Sequence, residues 1–463
     1  MCATESSTRP VDVPSLYAPA MAFEAELARK RITPEGAAAI VRSGDWIDYG
    51  FGLGQPDLFD EALAARRGQL RDVKIRGCMT LRPRAVVECD PEGAHFLWFN
   101  WHFSGLARRY CDAGRCSYIP MNFGEAPGYY RRFIERVDVA CIKTCPMDEH
   151  GYFNFGGAIG YSKAMTERAT KIVVETSATM PYVFGREESI HISEVDHVIE
   201  GSDAPLTELA NPAPTEVDRK VAAFIAPEVQ DGACLQIGIG GMPNAVCTVL
   251  RDSPVRDLGI HTEMLVDAMI DLVAVGKVTG ARKQMDPFQM VFTFAAGSRA
   301  QYDYINRNSR VRGCPVDYTN LPENIAQNDR VVSINNTAEM DLQGQAASES
   351  AGHRHVSGTG GQLQFVRGAY ASRGGKSFIC LASTYERRGE RRSRIVPALA
   401  EGNVVTTPRT DVMYVVTEYG MVNLKGKSVA ERVKALVSIA HPDFREELER
   451  EARERRLVPK GWV

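Results

Sequence analysis

The chain has 463 residues, enough for about two or three domains with sizeable cores. Its 44% hydrophobic and 24% charged residues are ordinary for a soluble globular protein, and 55 basic against 58 acidic residues leave a net charge of −3 without a basic stripe, which excludes nucleic acid as an expected partner. No run approaches the ~18–20 apolar residues of a membrane span, and the first residues lack the basic start and continuous apolar core of a signal peptide.

In chain order, residues 1–20 are polar and Pro-punctuated and read as an extended arm. Thr33-Pro34-Glu35 opens a helix that Gly44 closes. DWIDYGFGLGQPDLFDEALAA (45–65) reads as strand, glycine loop, proline and amphipathic helix, and 71–80, 138–145 and 171–177 as further strands. Strands alternating with helices predict parallel α/β layers. A linker rich in Pro and Ala, 201–214, separates a first α/β domain (21–205) from a second (215–463). There the pattern restarts: 232–250 repeats strand, glycine loop, proline and helix, and 256–264 is a strand. Gly50 and Gly52 fall opposite Gly238 and Gly240, Pro56 opposite Pro243 after a one-residue shift, and Arg71-Asp72 opposite Arg256-Asp257. This is a duplication, two similar α/β domains with largely parallel sheets. In that alignment Glu263 falls opposite Cys78, so only the second copy carries a carboxylate. Further strand-like segments follow at 289–298, 330–337, 355–366, 376–384 and 412–420, and a charged helix at 443–456.

The segment LGIHTEMLVDAM (258–269) places Glu263 where a buried strand ends. A salt bridge or a solvated end is the ordinary explanation for such a carboxylate, and a catalytic role the alternative. In IGIGGMPNAV (237–246), Gly238, Gly240 and Gly241 expose backbone N–H groups at a helix start. Pro243 breaks the dinucleotide pattern G-x-G-x-x-G, although Glu263 lies about 20 residues on as that pattern asks. No P-loop occurs. In SGTGGQLQF (357–365) the glycines mark either a bulge or a place where backbone meets ligand and forms an oxyanion hole. Arg373 and Lys376, flanking a glycine pair, are either phosphate contacts or solvated turn bases. His353 and His355 lack further metal ligands in sequence, so no metal is expected, and His261 reads as a hydrogen-bonding neighbour of the site. Glu349 reads as a surface or hydrogen-bonded structural residue, and Ser357 lacks a hydrolase elbow. The eleven scattered cysteines have no zinc-ribbon spacing, including the close pairs Cys111/Cys116 and Cys141/Cys145, and point to reduced thiols in the cytoplasm.

Together GIGGMPNAV, LGIHTEM, NNTAEMDLQGQAASES, HVSGTGGQLQFVRGAYASRGGKSFICLAST and YVVTEYGMVNLKG, with SGDWIDYG and PMDEHGYFNFG in the first half, resemble the acetyl-CoA hydrolase/transferase family of class I CoA-transferases, particularly its butyryl-CoA:acetate and 4-hydroxybutyrate CoA-transferases. The resemblance implies an active site between two CoA-transferase-type α/β domains. It also implies a homo-oligomer, with acyl-CoA and short-chain carboxylates as substrates, coenzyme A as substrate rather than resident cofactor, and ping-pong transfer through a glutamyl-CoA thioester. It maps the catalytic glutamate onto Glu263 and the assisting backbone amide onto Gly361. CoA contacts map onto Gly238, Ile239, Gly240, Gly241, Met242, Ala338, Gly361 and Arg373 or Lys376. The family's G-G-Q-x-D-F carries Gln364 at its acidic position here. Nearby positive charge and glycine N–H groups are expected to keep Glu263 ionised. An acyl-CoA hydrolase of the same fold, and a non-catalytic CoA- or nucleotide-binding module, are the competing functions.

Overall fold

The computed structural model describes residues 20–209, 212–238 and 240–461. The expected arm over 1–20 lies outside the described residues except for Ala20, which opens a helix running to Lys30.

Two sheets organise the chain. The first has seven strands: β1 (Trp46–Phe51), β2 (Val73–Cys78), β3 (Phe96–Asn100), β4 (Cys116–Tyr118), β5 (Val139–Thr144), β6 (Lys171–Thr176) and β7 (His197–Ile199). Their spatial order is β4-β3-β2-β1-β5-β6-β7, with every neighbouring pair parallel. The second sheet has six: β8 (Cys234–Ile237), β9 (Gly259–Ile260), β10 (Val331–Asn336), β11 (Lys376–Cys380), β12 (Tyr414–Thr417) and β13 (Gly420–Asn423). They run β9-β8-β10-β11-β12-β13, parallel except for the last pair. Strands covered by helices on both faces are apolar in runs rather than alternating; β5, buried along its whole length, is apolar from Val139 to Ile142, and its buried Lys143 is paired with Asp57.

The repetition in sequence reappears as a repeated turn. Gly44 and Gly232, with φ of 83° and 74°, each donate an N–H at 3.0 Å, to the carbonyls of Arg71 and Arg256 respectively. Asp72 and Asp257 then take left-handed φ values of 55° and 56°. In both halves the first strand (β1 or β8) is flanked on one side by the next strand in sequence and on the other by a strand much further along. The glycine turn after it therefore stands at the point where the strand order reverses, the usual ligand site of such sheets. The halves share one core: Phe51 of β1 meets Phe294 edge-on at 4.8 Å and stacks on Phe123 at 5.2 Å.

Three segments differ from expectation. The segment 355–366 is not a strand but a loop leading into a helix, with Gly361 as its cap. Gln364, Phe365, Val366, Gly368 and Ala369 are buried at helical spacing. The helix opened by Thr33 stops at Ala38, short of Gly44. The segment 256–264 contributes only Gly259–Ile260 to the large sheet, while Met264–Leu265 pairs with Phe294–Ala295 elsewhere. The chain therefore leaves the sheet at His261-Thr262-Glu263. Strands β3, β4 and β7 were not anticipated from sequence: β4 and β7 are only three residues long, and β3, FLWFN, is a short apolar run. Three helices matter for the site: α1 (Gly241–Asp252), α2 (Val316–Asn320) and α3 (Gln362–Ala371). Among the described residues no helix is long and apolar enough to cross a membrane, and ten cysteines are free thiols.

Candidate active site

The C-terminal ends of strands from both sheets open onto one cavity of about 260 Å³. Its two walls differ in chemistry. From the first half come Phe51, Met79, Trp101, Met121 and Phe123, which with Phe294 make an apolar surface; from the second come the polar side chains of Gln236, Asn335, Asn336, Ser357 and Thr359. Among the described residues no lysine or arginine is in the lining.

Glu263 projects into this cavity because the strand breaks there. Its main chain is fixed: the carbonyl accepts N–H groups from Thr293 and Phe294 at 3.0 and 3.2 Å. The half-buried side chain accepts a 2.6 Å hydrogen bond from Asn320 Nδ2 and another from the Gly361 N–H. It has no ion-pair partner among the described residues. Burial pushes its carboxyl up to about 7, and the two donors pull the other way without cancelling it. The expected positive charge beside Glu263 is thus corrected: neutral amides, not cations, stabilise the carboxylate.

Sequence gave no pointer to Asn320, which is 57 positions away, at the end of α2. Its Oδ1 accepts from Thr319 Oγ1 at 2.8 Å, which leaves Nδ2 turned toward Glu263. His261 holds the same turn. Its Nε2 lies 2.8 Å from the Thr319 carbonyl, and burial lowers its titration to about 4, so the neutral ring donates there. A histidine two residues from Glu263 therefore holds the Asn320 turn and, being neutral, keeps no charge beside the carboxylate.

Gly361 tolerates no side chain. A Cβ there would lie 2.3 Å from both Glu263 Oε2 and Asn320 Nδ2. Gly358 is equally constrained, since its Cβ would come within 2.9 Å of His102 Nδ1. His102, from the first half, is a second cavity residue that sequence reasoning passed over. Burial lowers it to about 4, so it too is uncharged. Cys78, the residue opposite Glu263 in the duplication, lines the same cavity, with its thiol pushed well up by burial and by the carboxylate. The two equivalent positions meet in space.

Gly238 lines the cavity. Ile239 lies outside the described residues. Gly240, at φ 123°, makes the turn that Gly241 and Met242 extend into α1, beyond the cavity lining. Ala338 follows the end of β10 and accepts an N–H from Arg394 at 2.8 Å. The structure places Arg373 and Lys376, expected as CoA contacts, away from the cavity. Lys376 begins β11, at the opposite edge of the sheet from Asn336, and binds Glu228 at 2.6 Å, while the exposed Arg373 pairs with Asp329. Neither side chain reaches the cavity. A hairpin (Thr384–Arg387 with Glu390–Ser393) carrying Arg387, Arg388, Arg391 and Arg392 follows the end of β11 in the chain. Gln364 is buried, and its Oε1 accepts the Gly124 N–H of the first half at 2.8 Å, so the amide ties the halves together without an ion pair.

Comparison with known proteins places these features in a family. Residues 18–208 match the acetyl-CoA hydrolase/transferase N-terminal domain and residues 297–452 its C-terminal domain. The chain is 46% identical over 435 residues to the butyryl-CoA:acetate CoA-transferase of Anaerostipes caccae, covering 93% of this chain and 98% of that protein. It is 45% identical over 431 residues to the succinyl-CoA:cyclohexane-1-carboxylate CoA transferase of Geobacter metallireducens, covering 93% and 97%. The crystal structure of RipA from Yersinia pestis superposes with a TM-score of 0.86 at 39% identity, covering 94% of this chain and 100% of RipA. With these matches spanning both halves that meet at the Glu263 cavity, the chain belongs to the acetyl-CoA hydrolase/transferase family, as an enzyme of its CoA-transferase kind.

Proposed function

We propose that the protein moves CoA between a short monocarboxylic acyl-CoA, of the butyryl type, and a small carboxylate such as acetate, in a ping-pong cycle on Glu263. The carboxylate attacks the thioester carbonyl, the C–S bond breaks, and an acyl-glutamyl anhydride and CoA thiolate result. The thiolate attacks the glutamyl carbonyl, releasing the first acid and leaving Glu263 as a CoA thioester. An incoming carboxylate reverses the sequence. The observation that carries this reading is the state of Glu263: half-buried, facing the cavity, held by two neutral donors and, among the described residues, without a cation beside it. A salt bridge would keep it ionised but blunt its attack, whereas an elevated pKa makes it a stronger nucleophile that is still substantially ionised near neutral pH.

The apolar wall supports an unsubstituted acyl chain. A second carboxylate placed against Phe51, Met79 and Phe123 would be desolvated with no cation to meet it, at several kcal/mol. For the nucleotide end of CoA, the exposed Arg387 and Arg388 make no ion pair among the described residues and lie in the hairpin that follows β11, whose last residue Cys380 pairs with Asn336 of the cavity. Contacts that far from the reaction help press the thioester onto the nucleophile.

Incubation with butyryl-CoA, borohydride reduction and mass spectrometry of the peptide holding Glu263 test the cycle. Modification that requires acyl-CoA is expected; an unmodified peptide in an enzyme turning over under the same conditions refutes it. Release of free CoA without any acid acceptor would make the protein a hydrolase instead.

A further inference from the structure

Glu349 is buried, and unlike Glu263 it does not line the cavity. A buried carboxylate without a cation persists only if hydrogen bonds replace its water. Three hydroxyls do so. Oε2 accepts from Tyr118 Oη at 3.0 Å and from Thr359 Oγ1 at 2.9 Å, and Oε1 from Thr406 Oγ1 at 3.0 Å. Tyr118 belongs to β4 of the first half; Thr359 belongs to the loop that ends in Gly361. The Thr359 N–H in turn donates to Tyr118 Oη at 3.2 Å. Both the backbone and the side chain of Thr359 are thus fixed two residues before the amide that touches Glu263.

The loop has other anchors in the same direction. The Glu349 carbonyl accepts the N–H groups of Val356 and Ser357 at 2.9 and 3.3 Å. The Phe103 and Phe123 N–H groups, from the first half, donate to the carbonyls of Ser357 and Gly360 at 3.2 and 3.0 Å. Gly360 takes a left-handed φ of 55°, so the loop turns sharply just before Gly361. An amide that must point at a developing oxyanion is useful only when its direction is set in advance.

We propose that Tyr118, Glu349 and Thr359 form a positioning network that aims the Gly361 N–H at Glu263. The inference rests on Glu263 being the nucleophile. None of the three touches the reacting atoms; each acts through the loop. Tyr118 is the informative member, because loss of its hydroxyl removes one bond to Glu349 and one from the Thr359 N–H while the ring keeps its packing against Phe103 and His355.

Tyr118→Phe and Thr359→Val, with Thr359→Ser as the conservative control, are compared with wild type in the acyl-CoA half-reaction. In the two disruptive variants kcat is expected to fall about tenfold to a hundredfold, short of the loss of a whole oxyanion donor, with KM for acyl-CoA little changed. Their acid limb should move to higher pH, because a misaligned Gly361 amide no longer helps hold Glu263 ionised; the titratable neighbours His102 and Cys78 remain uncharged. Thr359→Ser should keep the wild-type limb. The Glu263 adduct should still be trapped in every variant, more slowly in the disruptive two. Folded variants with wild-type kcat and an unmoved limb, in an enzyme whose wild-type adduct is found, overturn the network alone. Absence of the adduct from active wild-type enzyme overturns the nucleophile and the network with it.

Discussion

Replacing the proposed nucleophile with its amide, Glu263→Gln, should abolish transfer and at the same time stabilise the fold. The carboxyl titrates near 4.5 when free and at about 7 in place, so the folded state holds its proton more tightly than the unfolded chain. Stability tied to this group is therefore fully present below about pH 4.5 and is lost as pH rises through about 7. At about 1.4 kcal/mol per pH unit of difference, the penalty reaches about 3 kcal/mol near pH 8 and is only about 1 kcal/mol near pH 5. Glutamine keeps the shape and an acceptor oxygen for Asn320 or Gly361 but has no charge to desolvate. Thermal melts of wild type and variant at the two pH values, followed by circular dichroism, read the difference. The variant should melt a few degrees higher at pH 8, and the gap should shrink at pH 5. An equal or lower melting temperature at pH 8, or a gap that does not change with pH, would refute the claim that Glu263 is held against its ionisation.

Shortening the same side chain by Glu263→Asp withdraws the carboxylate by more than about 1 Å from the bound thioester, and kcat should drop by about 10²-fold in a steady-state transfer assay. The rate of the first half-reaction should rise with pH through about 7, as Glu263 ionises, and a flat profile from pH 5 to 9 in stopped-flow measurements would count against it. Arg387→Ala combined with Arg388→Ala should raise KM for acyl-CoA about tenfold with kcat nearly unchanged, and the effect should shrink at high salt. Butyryl-CoA should exceed succinyl-CoA in kcat/KM by at least about 10²-fold, since succinyl brings a second charge to an uncharged wall. Comparable values would place this chain beside its Geobacter relative in donor choice.

Much of the frame was legible because its signals are local. The doubled strand–glycine–proline–helix unit and the Arg-Asp turns announce two parallel α/β halves, and their repeated φ values follow from the same tight geometry. Glu263 stood out because a carboxylate interrupts an apolar run. The partners of that carboxylate were hidden because they are set by tertiary structure. Asn320 lies in an unremarkable VDYTN helix, and His102 reaches the site from the other half. The distance of Arg373 and Lys376 from the cavity was hidden for a related reason. A basic pair beside glycines looks like a phosphate site, but the strand they precede runs toward the cavity, so they stand at its far end. The helix after Gly361 was misjudged because glycines and β-branched neighbours mask the helical spacing of Phe365, Val366 and Ala369.

The stitching of the Ser357–Gly361 strip to Phe103, Tyr118 and Phe123 bears on how substrate arrives. Parting the lobes would break these bonds and loosen the loop that presents the Gly361 N–H to Glu263. Neither lobe made alone would hold both the carboxylate and the contacts that fix this loop, so separately expressed halves should not reconstitute the centre unless they dock.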